Sequence, residues 1–142
     1  MRKMVVLLSL LSLNAIAFAA DQAVVNHDGN CVVSVPAGWT LDGTLGLANS
    51  PDKKVSVVVS SPRHGNPTME SIAQMAPMMY PDDKITKQSG SEFEMEGKAG
   101  NGKPNVYRAV PAAGGKICIA EVQYQSGTAA DARAIAQTLK GK

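Results

Sequence analysis

The chain has 142 residues, 14 Lys and Arg against 12 Asp and Glu, and few aromatics: one Trp, three Tyr and two Phe. That length suits one domain with a single core, built mainly from Val, Ile, Leu, Met and Ala. No basic stripe interleaved with aromatic residues is present, which excludes nucleic acid as a partner on charge grounds.

The first residues, MRKMVVLLSLLSLNAIAFAA, read as a signal peptide. Arg2 and Lys3 form a basic start, Met4 to Leu13 an apolar centre, and Ala17-Phe18-Ala19 the small-x-small cleavage pattern. Cleavage is expected after Ala19, with Ala20 the next site. The apolar stretch is too short, and too interrupted by Ser9, Ser12 and Asn14, to span a bilayer. The expectation is a leader over 1–19 and one domain over 20–142, periplasmic or secreted, with no membrane anchor after cleavage. Loss of the leader removes two basic residues and no acidic one, leaving twelve of each sign.

Exported proteins usually pair their cysteines. Cys31 opens CVVSV and Cys118 lies in KICIAEVQY, both strand-like by alternation. A disulfide between them is expected, tying the first hairpin to a late strand. The rival reading, two thiols serving redox or metal chemistry, lacks CxxC spacing.

Along the chain, AVVNHDGNCVVSV reads as a hairpin turning at Asp28-Gly29 in a type I′ turn, and Pro36 ends its second strand. TLGLANS is a weak strand. KKVSVVVSS is a strong one, with Val55, Val57 and Val59 on one face. A helix is expected from Pro67 or Thr68 to Met79, capped by Asn66 or Thr68. Its apolar stripe falls at Ile72, Met75, Ala76 and Met79, and Pro77 should kink it or convert its last turn. KITKQSGSEFEMEG holds one or two strands. PNVYRAVPA and KICIAEVQYQ are strands joined by Ala113-Gly114-Gly115. TAADARAIAQTLKGK reads as a final helix with a capping box from Thr128 to Asp131, a stripe of Ala132, Ile135, Ala136 and Leu139, Lys140 at its end, and a Gly141 cap. Hairpins dominate, so the fold class is α+β: a mostly antiparallel sheet covered by two helices.

HDGNCVVSVPAGW with its Val35-Pro36-x-Gly38-Trp39, the valine-rich strand, TMESIAQMAPMMYP, GKAGNGKPNVYRAV and the last strand-helix pair together resemble the PsbP-like superfamily. That superfamily includes the photosystem II subunit PsbP and bacterial exported and secretion-system accessory proteins. The resemblance implies a PsbP-like sheet and a role in binding other proteins, and brings no catalytic set.

Constellations that carry chemistry are sparse. Gly97, Gly102 and Lys103 match phosphate-loop spacing, but Pro104 stands where the metal-binding Ser or Thr belongs and the flanks read as strands, so a hairpin loop is expected. Met75, Met78 and Met79 offer thioethers that select Cu(I), with His64 nearby in sequence, yet Met75 and Met79 also fit the core stripe. Glu92, Glu94 and Glu96 alternate with Phe93 and Met95, the pattern of a strand with one solvated face. No nucleophile-base pairing stands out. The expectation is a non-catalytic protein-binding protein acting in the periplasm as an accessory, adaptor or effector-neutralising factor, with no cofactor and no metal. The alternative is a small-ligand or copper-binding protein. The candidate binding residues are Trp39, which also suits a core role, Arg63 and His64 in a Gly/Pro loop, and Met78 and Tyr80.

Overall fold

A computed structural model describes residues 21–142. The leader expected over 1–19 and its cleavage point lie outside the described residues. Ten strands and two helices follow in the order β1 (Gln22–Val25), β2 (Cys31–Val35), β3 (Thr40–Asp42), β4 (Leu47–Asn49), β5 (Val55–Ser60), α1 (Met69–Met79), β6 (Lys84–Gln88), β7 (Phe93–Lys98), β8 (Pro104–Ala112), β9 (Lys116–Tyr124), α2 (Ala129–Gln137) and β10 (Lys140–Gly141). Seven strands form one sheet in the order β3-β4-β5-β9-β8-β7-β6, and β1-β2-β10 form a second. Every pairing is antiparallel. The α+β class expected from the sequence is the class observed.

The large sheet is covered on both faces. One face carries Val55, Val57 and Val59 of β5, Val106 and Val110 of β8, and Cys118, Ala120 and Val122 of β9, packed against Val33 and Val35 of β2 and Ala132, Ile135 and Ala136 of α2. The other carries Phe93, Met95, Tyr107, Ala109, Ile117 and Ile119, packed under Ile72 and Ala76 of α1. Each valine fully withdrawn from water contributes about 1.5–3 kcal/mol, so a core this rich in valine needs few aromatics.

Cys31 and Cys118 form a disulfide, and both are fully buried. It does not join neighbouring strands of one sheet, the outline expected. It links β2 of the small sheet to β9 in the middle of the large one.

Several local expectations change. The β1–β2 turn is not type I′: only Gly29 has positive φ, and the loop runs from Asn26 to Cys31. The Asn26 side chain decides this, accepting from the Cys31 N–H and donating to Asn30 Oδ1. The α1 cap forms at Thr68, whose hydroxyl accepts from the Ser71 N–H. Helix α1 runs through Pro77 to Met79, and the Tyr80 N–H still reaches the Ala76 carbonyl. Its stripe is turned from the expected one. Met69, Ile72, Ala73, Ala76 and Tyr80 face the sheet, while Met75 and Met79 are exposed at 46% and 64%. Large side chains already fill the sheet face at Phe93 and Tyr107, and only the alanine side of the helix can approach them.

The Thr128–Asp131 capping box does not form; the Thr128 hydroxyl donates to the Gln125 carbonyl instead. Helix α2 stops at Gln137, and Lys140-Gly141 returns as β10 beside β2 rather than capping a helix. Glycine is required there, because a Cβ at Gly141 would sit 2.5 Å from the Pro111 carbonyl oxygen. The glycine-rich 97–104 stretch is the β7–β8 hairpin expected, turning through Gly102 at φ 78°.

The alternating glutamates of β7 do not face water. Glu94 is 4% exposed, and the Arg133 guanidinium grips Glu96 at 2.6 and 2.9 Å. Helix α2 crosses this end of the sheet and covers them.

Candidate functional site

Trp39 is placed by its neighbours. Pro36 ends β2, Gly38 takes φ 90°, and the chain folds back so that the Trp39 N–H meets Gln22 Oε1 at 3.1 Å. The indole is 9% exposed and belongs to the core, as its role as a filler implies. It is also one wall of a cleft of about 510 Å³. The remaining walls are Val35 and Pro36 from the end of β2, Pro51 and Val55 from the β4–β5 turn, and Ala134 and Ile135 from α2. Asp21, Asp52 and Asp131 also line it.

The cleft is held by short polar bonds. Ser50 Oγ donates to Asp52 Oδ1 at 2.7 Å and accepts from the Val55 N–H. The Ser50 hydroxyl, with the Lys54 N–H behind it, holds the Asp52 carboxyl below its ordinary range, so it stays ionised. Asp131 lies in the first turn of α2, where the helix dipole favours a carboxylate. Thr138 Oγ1 accepts from the Ser34 N–H at 2.8 Å and donates to the Ile135 carbonyl, sealing β2 to α2. The sequence pointed to Trp39 and missed the three aspartates. They lie far apart along the chain, and their only local signal is the Ser50-Pro51-Asp52 turn.

The other candidates lie elsewhere. Arg63 pairs with Asp28 at 3.1 Å, with both side chains about half exposed. It lines a separate polar hollow near the disulfide with Lys116 and Lys142. His64 is exposed in the same loop. Met78 and Tyr80 end α1, on the opposite face of the large sheet from the cleft. The five candidates therefore do not form one site.

Under α1 lies a small polar cluster. The Tyr80 ring rests 6.3 Å from Tyr107, and its hydroxyl donates to Glu121 Oε1 at 3.5 Å. Burial pushes the Glu121 carboxyl up, with the Tyr80 hydrogen bond acting against it. Burial also pushes both phenols up, Tyr107 far more than Tyr80. Beside them Asn105, 1% exposed, has no partner for either side-chain polar atom, and neither has Asp83 Oδ2. Asp83 fits there because Gly97 has no side chain; a Cβ would run into its carboxylate.

A raised carboxylate pKa means folding favours the protonated form. That contribution is intact below the ordinary glutamate value and is lost as pH rises through the raised one. Glu121→Gln keeps an acceptor for Tyr80 and removes the buried charge. It is expected to be more stable than wild type at pH 7, the difference fading at pH 4, below the ordinary glutamate value. Urea midpoints at both pH values check this; equal differences at the two would rule it out.

Among the described residues no helix is long and apolar enough to cross a membrane, and no group of three His, Cys, Asp or Glu is placed to hold a metal ion. No protein-family model and no curated protein matches the chain. The chain is similar to the solution structure of cyanobacterial PsbP (CyanoP) from Synechocystis sp. PCC 6803, at 12% identity and a TM-score of 0.48, over 94% of this chain and 99% of that one.

Proposed function

We propose that this is an exported, non-catalytic binding protein that takes a cationic side chain of a partner protein into the Trp39 cleft. The observation that carries this is an indole and aliphatic walls together with three aspartates in one cleft. A lysine or arginine suits such a place: its stem lies on the apolar walls and its head reaches the carboxylates. A cation over the indole face adds about 0.5–2 kcal/mol. The hydroxyls of the cleft support a non-catalytic reading. Of its four hydroxyls, those of Ser50, Thr128 and Thr138 are bonded to local turns or strands, and no histidine lines the cleft to activate the fourth, Ser34. A small organic amine is the second reading, because about 510 Å³ is also a small-ligand size.

Trp39 is the sole tryptophan, so its fluorescence reports on this cleft alone. Alanine-based peptides with a central Lys, Arg, Gln or Glu, and free alkylamines, are titrated against the mature protein. The expected result is a saturable emission change with the cationic peptides only, weakened by salt and lost in Asp52→Asn with Asp131→Asn. A response to amines without peptides would favour the small ligand. Equal responses to Lys and Glu peptides, or none, would overturn the reading.

A further inference from the structure

The outer face of α1 carries three exposed thioethers that the fold does not use. Met75 is 46% exposed, Met78 74% and Met79 64%. The sheet-facing side of the helix is already filled by Ile72 and Ala76 with Met69, Ala73 and Tyr80, so core packing does not account for these methionines. We infer that Met75, Met78 and Met79 form a binding site for a soft monovalent metal ion, Cu(I), independent of the Trp39 cleft.

The spacing suits three ligands on one ion. Met78 and Met79 stand at i+3 and i+4 from Met75, so they flank it on either side, with Cβ atoms about 5–6 Å from its own. Long side chains on a helix lean toward its N-terminus, which brings the thioethers of Met78 and Met79 back over Met75. Thioether sulfur is a soft ligand that selects Cu(I) over the hard cations carboxylates prefer. The charge is also favourable. Met78 and Met79 lie in the last turn of α1, where the dipole is negative, and that turn holds no basic residue. Thioethers do not titrate, so binding should persist at acid pH, where a histidine or thiolate site would release the ion.

The mature, oxidised protein is labelled with 13C at its methionine methyls and titrated with Ag(I), the redox-inert stand-in, and then with Cu(I) under nitrogen against a chromophoric chelator. One equivalent is expected to shift the Met75, Met78 and Met79 methyl signals and leave buried Met95 in place, equally at pH 5 and pH 7. Met75→Leu/Met78→Leu/Met79→Leu, a set of exposed aliphatic exchanges, is expected to keep the fold by circular dichroism and lose saturable binding. Retained binding in that variant, binding that disappears at pH 5, or no saturable methyl shift in wild type would each overturn the site.

Discussion

Opening the Cys31–Cys118 disulfide is expected to lower the unfolding free energy by about 3–4 kcal/mol, roughly 15 °C in Tm for a domain of this size. The two cysteines are 87 residues apart, and closing a loop of that length in the unfolded chain has a ceiling of roughly 4–5 kcal/mol. Residual structure in the unfolded state takes some of that away. The loss should be concentrated. The disulfide joins the three-stranded sheet to β9, and β10 pairs with Cys31 itself through Gly141. Without it, the small sheet is held by the burial of Val24, Val33 and Val35, by the Thr138 bond to Ser34 and by the Ala113 N–H donating to the Lys142 carbonyl. Urea unfolding of Cys31→Ala/Cys118→Ala gives the global figure, and hydrogen exchange gives its distribution. Residues 22–35 and 140–142 should lose protection before β8 and β9 do, and Trp39 fluorescence should move toward the solvated value as its cleft loosens. A loss below about 1 kcal/mol would mean that the two sheets hold together without the covalent link.

How much of this was legible depends on how local each signal is. The Val-Ser alternation of β5, the paired glycines between β8 and β9 and the Thr68 cap are properties of a few adjacent residues, and each formed where expected. The rotation of α1 is not local. MESIAQMAPMM fits two apolar stripes, one through the methionines and one through the alanines. The side chains of Phe93 and Tyr107, further along the chain, select the alanine side. The turn at Asp28-Gly29 lost to a side chain, Asn26, whose two hydrogen bonds outweigh the dipeptide preference. Lys140-Gly141 looks like a helix end by composition, and only the position of β2 and of Pro111 makes it a strand. The cleft was legible only at Trp39, because Asp21, Asp52 and Asp131 meet through the fold and share no motif.

Glu94 is the furthest case from its local appearance, and it sets the other large expected effect. Its pattern on β7 is that of a solvated face, yet α2 closes over it from more than thirty residues away. It is 4% exposed, with Arg108 at 3.3 Å, the Thr86 hydroxyl at 3.0 Å and the Gln137 amide as its partners. Arg108, 7% exposed, also reaches Glu92 at 2.8 Å, and its Nε is buried without an acceptor. Removing one member of a buried pair leaves an uncompensated charge, which costs about 3–5 kcal/mol, whereas replacing both by apolar groups is often close to neutral. Arg108→Met is therefore expected to destabilise by about 3 kcal/mol, moderated by the two neutral donors that remain on Glu94. Glu94→Leu alone should be costly too, because it leaves the guanidinium only Glu92 and takes the acceptor from the Thr86 hydroxyl and the Gln137 amide. The double variant is expected within about 1 kcal/mol of wild type, since it also removes the unsatisfied Nε. A double-mutant cycle in urea measures the coupling directly, and additive losses would show that α2 does not keep water from the pair. The packing of α2 matters here for more than stability. The same helix supplies Asp131 and Ile135 to the Trp39 cleft, so a charge left unpaired beneath Gln137 should also weaken whatever the cleft binds.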